Sequence, residues 1–285
     1  MFENFERTLD FSLHNALALA RASKLAYPME REDGRKETPS EWRERARGEL
    51  DQAGLHDTAF FDANDTQAFL AANDDKMVLS FRGTEMDIDD IATDLNFDKV
   101  GGPLEGRVHE GFLLALLSVW AGRNGIRRAL REFRAERKSK TGRAPALYIT
   151  GHSLGAALAT LAAAKLAEAH QPVWGVYTFG SPRVGDPAFA KSYNAALKPI
   201  TMRVGNNNDL VTRIPTRGME FSHVGRYFYL KESGECVEDP GSWMLWLDKL
   251  WGRVADIGEL GIDALKDHKI DADPDGYIPA LLNNI

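Results

Sequence analysis

Residues 147–168 constrain this chain more than any other stretch. Leu147-Tyr148-Ile149-Thr150 is a short apolar run of strand type, Gly151-His152-Ser153-Leu154-Gly155 a tight turn, and residues 156–168 a helix former rich in Ala and Leu. A serine with glycine two residues before and two after it can sit on a sharp strand-to-helix turn, because the small neighbours let the backbone bend without clashing. The helix that follows aims backbone N–H groups at a developing negative charge. A surface serine in an ordinary turn would account for the glycines, but not for the strand and helix on either side. Ser153 is therefore the candidate nucleophile.

The surrounding pattern supplies the frame. Residues 173–179 and 200–204 read as two further buried strands, with a helix over 188–197 between them. Strand, helix, strand, helix, strand specifies an α/β fold with a mostly parallel central sheet and helices on both faces. Upstream, Leu13, Ala16, Leu17, Leu19 and Ala20 mark one apolar face of a helix within residues 11–27. The polar segment 28–57 reads as a solvated connection with one short helix around Trp42. Residues 59–61, 67–71 and 77–81 read as strands joined by hairpins across Asp- and Asn-rich turns. A single helical pattern covers 112–134, directing Leu113, Leu116, Leu117, Trp120, Ile126, Leu130 and Phe133 inward. It runs into a basic stretch, 134–143, whose charges have no interleaved aromatics and so read as a solvated helix end. Residues 221–230 add a strand, and 241–267 a Trp-rich helical insertion. One domain over 1–285 is expected.

Composition excludes several other classes. The 285 residues carry a formal net charge of −7, which disfavours nucleic acid or an anionic membrane surface as the main partner. Cys236 is the only cysteine, so neither an intrachain disulfide nor a CxxC metal site can form. The first residues carry acids and no long apolar run, and nothing approaches the roughly 20 apolar residues of a spanning helix. A cytoplasmic location is the default expectation, although an exported chain trimmed of its signal peptide would present the same sequence.

A serine hydroxyl needs a histidine to take its proton and a carboxylate to orient that histidine, and in this fold both follow later in the chain. Asp209 fits the carboxylate: it lies in the turn Gly205-Asn206-Asn207-Asn208-Asp209 after the 200–204 strand, where an Asx turn is the competing explanation. Of seven histidines, His14, His56, His109 and His170 precede the acid or lie on helices, and His152 adjoins the nucleophile. Only His223 and His268 obey the chain order. His223 falls inside the expected 221–230 strand, whereas His268 follows a helix in a polar segment and is the preferred base. The oxyanion donors expected are the Leu154 amide and Thr84, which ends Arg82-Gly83-Thr84 after an early strand.

Several of these stretches, taken in order, resemble the class 3 (fungal-type) triacylglycerol lipase family. They are Ser80-Phe81-Arg82-Gly83-Thr84, Val108-His109-Glu110-Gly111-Phe112, the run from Ile149 to Gly155, the run from Thr178 to Gly185, and Asn208-Asp209-Leu210-Val211 with Pro215. The resemblance implies an α/β-hydrolase fold, a metal-free and cofactor-free triad of Ser153, Asp209 and His268, Thr84 and Leu154 as oxyanion donors, and hydrolysis of acylglycerols or related esters. It makes His109 and His223 structural. The family often follows its catalytic histidine closely with a tyrosine, whereas here Tyr277 comes nine residues after His268. The resemblance also implies a lid, and residues 85–97 place Met86, Ile88, Ile91 and Leu95 among Asp87, Asp89, Asp90 and Asp94 in an amphipathic pattern. Ile91 stands where the family's lid often has tryptophan. Trp243, Trp246 and Trp251 suggest either a second cover, with transient contact at a lipid interface, or packing against the body. No stable protein partner is implied. Two alternatives accompany an ester hydrolase: a phospholipase or acyltransferase on the same triad, and a non-catalytic lipid-binding protein.

Overall fold

The computed structural model describes residues 1–83, 97–207, 209, 211–215, 217–231, 233, 235–240, 268–271 and 274–285. Thr84, the expected lid apart from Phe97, and the Trp-rich insertion 241–267 lie outside the described residues.

Eight strands form a mixed sheet in the spatial order β1 (Asp57–Ala63), β2 (Thr66–Ala72), β3 (Lys76–Phe81), β6 (Ala146–His152), β7 (Gly175–Phe179), β8 (Thr201–Asn206), β9 (Arg226–Leu230) and β10 (Cys236–Glu238). The pairs from β3 through β9 are parallel, and the flanking hairpins β1–β2–β3 and β9–β10 are antiparallel. β4 (Lys99–Gly101) and β5 (Arg107–His109) make a separate two-stranded ribbon. The register sets Phe81 beside Gly151, His152 beside Phe179, and Phe179 beside Val204. Residues that follow β3, β6, β7 and β8 therefore gather at one carboxyl edge, where open α/β sheets bind their ligands.

Strand side chains alternate between two cores. Leu79, Leu147, Ile149 and Val176 face one, covered by α3 (Glu110–Trp120), α4 (Ile126–Thr141), α5 (Leu154–Glu168) and α6 (Pro187–Leu197). Val78, Tyr148, Tyr177 and Met202 face the other, covered by α1 (Leu13–Leu25), α2 (Pro39–Gln52) and α7 (Tyr277–Leu282). The α/β architecture expected from the strand and helix alternation is the one observed.

Four local readings need correction. α1 is buried nearly all round, its Asn15, Ala18 and Ser23 included, because it lies between the sheet and α7. In the segment 28–57, the short helix expected around Trp42 is α2, which runs 14 residues and takes up much of the supposed connection. A Thr38–Glu41 capping box with Pro39 in the first turn starts it. Only Trp42, Ala46 and Leu50 are buried, and that one stripe is too narrow to dominate a polar sequence. The single helix expected over 112–134 is two helices, α3 and α4, broken where Gly122 takes φ +96° and Gly125 caps α4; Leu117, expected to point inward, lies within α3 and is 39% exposed. The strand expected over 221–230 begins only at Arg226. His223 precedes it, in a segment tied to the body by a bridge between Ser222 and Gly185.

No helix among the described residues is long and apolar enough to cross a membrane.

Candidate active site

Ser153 stands alone between β6 and α5, at φ 56° and ψ −128°, a backbone conformation that L-residues avoid. Close packing holds it there. The Ser153 N–H donates to the Phe179 carbonyl at 3.0 Å, and the Ser153 carbonyl accepts from the Ala156 N–H at 2.9 Å. A Cβ at Gly151 would run into the Gly155 carbonyl, and one at Gly155 into the Phe81 carbonyl. The two glycines of the motif are thus a steric requirement of the turn. Gly83, just past β3, is pressed against the elbow as well: a Cβ there would meet the Tyr27 hydroxyl and the His152 carbonyl and lie 3.1 Å from Ser153 Cβ. Leu154 opens α5, where the first N–H groups of a helix lack intrahelical acceptors. Ser153 is 1% exposed, and its Oγ makes no hydrogen bond among the described residues.

Asp209 follows β8 and is buried. Its Oδ1 accepts the Val211 N–H at 2.9 Å, so the residue does make an Asx turn, and the same carboxylate faces His268. His268 Nδ1 lies 3.0 Å from Oδ1 and 3.1 Å from Oδ2. Tyr277, the first residue of α7, donates its hydroxyl to Oδ2 at 2.5 Å and accepts the Asn206 N–H at 3.1 Å. Burial alone would raise the Asp209 pKa; the electrostatic interaction with His268 and the hydrogen bonds from His268 and Tyr277 outweigh it and hold the carboxyl below its ordinary value. The Tyr277 phenol is pushed well above its ordinary value by burial and by the Asp209 charge. Backbone bonds from the Tyr277 N–H to the Lys269 carbonyl (3.1 Å) and from the Ile278 N–H to the Ile270 carbonyl (2.9 Å) tie the His268 segment to α7. Gly180, after β7, adopts φ +58°, and a Cβ on it would lie 2.9 Å from Asp209 Oδ2 and 3.0 Å from the His268 ring. Only glycine fits both the conformation and the gap.

Two of the three triad candidates, Asp209 and His268, are therefore hydrogen-bonded. Ser153 reaches the same carboxyl edge through the elbow, and the His152 ring beside it lies 4.7 Å from the His268 ring. Of the oxyanion candidates, Leu154 is at the helix start and Thr84 is outside the described residues. His223 Nε2 donates to the Thr212 carbonyl at 2.7 Å. His109 is buried against Phe112, accepts that residue's N–H through Nδ1, and is lowered by burial to a pKa of about 4. Sequence reading missed Tyr277 as a partner of Asp209, along with Gly180, Tyr27 and the engagement of His152. The family's tyrosine was the available signal for Tyr277, but its nine-residue offset from His268 hid the connection. Among the described residues, no cluster of His, Cys, Asp and Glu could hold a metal ion.

The mixed sheet, the strained serine turn and the buried acid–histidine pair at its carboxyl edge define an α/β-hydrolase. The sequence profile of "Lipase (class 3)" matches residues 78–219, about half the chain, and spans the elbow and Asp209. The chain is 35% identical over 121 residues to the secreted mono- and diacylglycerol lipase A of Penicillium cyclopium, covering 41% of this chain and 37% of that protein. It is 36% identical over 108 residues to phospholipase A1-II 1 of Oryza sativa subsp. indica, covering 36% and 26% respectively. Among solved structures, the Rhizomucor miehei triacylglyceride lipase superposes with a TM-score of 0.59 at 26% identity, covering 79% of this chain and 83% of the other. The chain belongs to the class 3 lipase family. Its matched region spans well under half the length of these two sequence relatives.

Proposed function

We propose that this chain is a serine carboxylic ester hydrolase, a lipase or esterase, that cleaves acylglycerol-type or other carboxylic esters through an acyl-enzyme on Ser153. The observation that carries the reading is the buried Asp209–His268 pair at the same sheet edge as the strained Ser153 turn. The bond from His268 Nδ1–H to Asp209 leaves the other ring nitrogen to take the serine proton. The resulting imidazolium is stabilised by a carboxylate that its surroundings keep ionised. The Ser153 Oγ, buried and free of competing hydrogen bonds among the described residues, would close on His268 as substrate binds; such contacts are often loose before that.

Attack by Oγ on the ester carbonyl forms a C–O bond and a tetrahedral oxyanion, held by the Leu154 amide and Thr84. His268 returns the proton to the leaving alcohol as the old ester bond breaks. Water, deprotonated by His268, then releases the carboxylic acid and restores Ser153. None of these steps calls for a metal or cofactor.

The test is turnover of p-nitrophenyl esters together with labelling by a fluorophosphonate probe, with Ser153→Ala as control. Parent activity that persists undiminished in the variant would sink the proposal. A second reading, phospholipase activity on the same triad, is favoured by the similarity to the rice phospholipase A1. The triad fixes acyl chemistry but not the leaving group, so product analysis on phosphatidylcholine and diacylglycerol separates the two.

A further inference from the structure

His152 ends β6 directly before Ser153, and both of its ring nitrogens are engaged in the interior. Nε2 lies 2.5 Å from the backbone carbonyl of His268, and Nδ1 lies 2.9 Å from the hydroxyl of Tyr27. A carbonyl can only accept, so Nε2 carries the hydrogen. In the neutral ring Nδ1 then accepts, and the Tyr27 hydroxyl donates to it. Burial, reinforced by the neighbouring His268, lowers the His152 pKa to about 3, which keeps the ring neutral at physiological pH. The His152 and His268 rings are inclined by only 33°, and Tyr277 meets His152 edge-on at 5.9 Å. Tyr27 comes just beyond α1, anchored by its N–H to the Lys24 carbonyl at 3.0 Å.

We infer that His152 is a positioning residue: as the Nε2–H tautomer set by the His268 carbonyl, and held in place at Nδ1 by the Tyr27 hydroxyl, it fixes the backbone and the ring plane of His268 and so keeps His268 Nδ1 against Asp209. This rests on the proposed roles of Ser153, Asp209 and His268. One residue couples the two halves of the site, because the segment that sets the nucleophile's turn also holds the main chain of its base. Neutrality is part of the function. His268 gains a proton during the reaction, and a cation 4.7 Å away would oppose that charge, whereas a neutral imidazole does not. His152 touches no reacting atom, so its contribution must appear in the rate and in the geometry of the His268–Asp209 bond.

The experiment compares His152→Phe, His152→Gln and Tyr27→Phe with the parent chain. It measures kcat and KM on p-nitrophenyl butyrate, the melting temperature, and the proton NMR resonance of His268 Nδ1–H, which a carboxylate acceptor moves downfield. His152→Phe fills the space but removes the donor. Its kcat is expected to fall about 10- to 100-fold with KM held within about twofold, and the downfield resonance to broaden or vanish. In His152→Gln an amide N–H can reach the same carbonyl, so most of the lost rate and the resonance should return. Tyr27→Phe removes the hydrogen bond that holds the ring at Nδ1 and should lower kcat about two- to tenfold. The inference is overturned if His152→Phe keeps the parental kcat and resonance, or if Phe and Gln lose rate equally and in step with melting temperature. An inactive, unlabelled parent, or a fully active Ser153→Ala, would instead break the ester-hydrolase reading, and the NMR comparison would still decide the role of His152.

Discussion

Residues 151–155 take their shape from immediate surroundings: two glycines, a neighbouring strand and a helix start force one serine to a positive φ. The acid–base side is assembled differently, from Asp209 after β8, His268 from a segment 59 residues later, and Tyr277 at the start of α7. The first region is strained and needs few partners. The second is cohesive, each member satisfying another's buried polar atoms. Strain at the nucleophile can thus be tolerated because the opposite side of the site adds stability, which makes the two regions respond oppositely to substitution.

The sharpest way to break this contrast is activity. Ser153→Ala should lower kcat on soluble esters by about 10⁶-fold, as removal of a triad nucleophile does elsewhere, with little change in melting temperature. Asp209→Asn should cost about 10⁴-fold by favouring the wrong His268 tautomer, and chemical denaturation should show lost stability as well. If Asp209→Asn leaves stability unchanged, the cohesive half of the comparison fails.

Acid should weaken the acid–base side and its surroundings. His109 and His152 have pKa values lowered to about 4 and about 3, so between about pH 6.5, the ordinary histidine value, and pH 4 the unfolded chain binds protons that the folded chain refuses. Stability must therefore fall as pH falls through that window, with two groups contributing at most about 3 kcal/mol per pH unit. The lowered Asp209 carboxyl works in the same direction at more acid pH. Its contribution is present above the unfolded value near about 3.9 and lost as pH falls through the folded one. Urea titrations from pH 7 to 4 would refute this with a flat profile.

Tyr277→Phe removes the hydrogen bond to a buried carboxylate together with the acceptor of the Asn206 N–H and should destabilise by about 1.5–3 kcal/mol, read by denaturant midpoint. The smallest effect has the opposite sign. Ser153→Gly relieves the positive φ and should raise stability by about 1 kcal/mol after the entropy cost of glycine, although activity is lost. A destabilised glycine variant would show that the turn is not strained.

The same local-versus-assembled distinction explains what the sequence made legible. Residues 147–168 encode strand, turn and helix contiguously, and the hairpins of β1 to β3 are marked by their turn residues, so these were readable. Asp209 was readable because it directly follows a recognisable strand. The Asp209–Tyr277 bond, the Gly180 gap and the His152–Tyr27 contact connect residues from 29 to 125 positions apart, and no periodicity records such pairings. The length of α2, expected only as a short helix around Trp42, is hidden for a different reason. Its capping box is explicit, but only three of its residues are buried, so the polar pattern outweighed the cap. The break between α3 and α4 rests on Gly122 and Gly125, which a continuous apolar stripe obscured.

The late position of His268 has a consequence for synthesis. Ribosomes extend a chain at about 5–20 residues per second, so the 59 residues between Asp209 and His268 take roughly 3–12 s to translate. Throughout that interval the nascent chain carries its serine and its carboxylate but not the histidine assigned to activate the serine. In the proposed roles, hydrolysis is timed by the order of translation: the polypeptide emerges inert toward cellular esters and acquires reactivity only when the His268 segment docks beside Asp209.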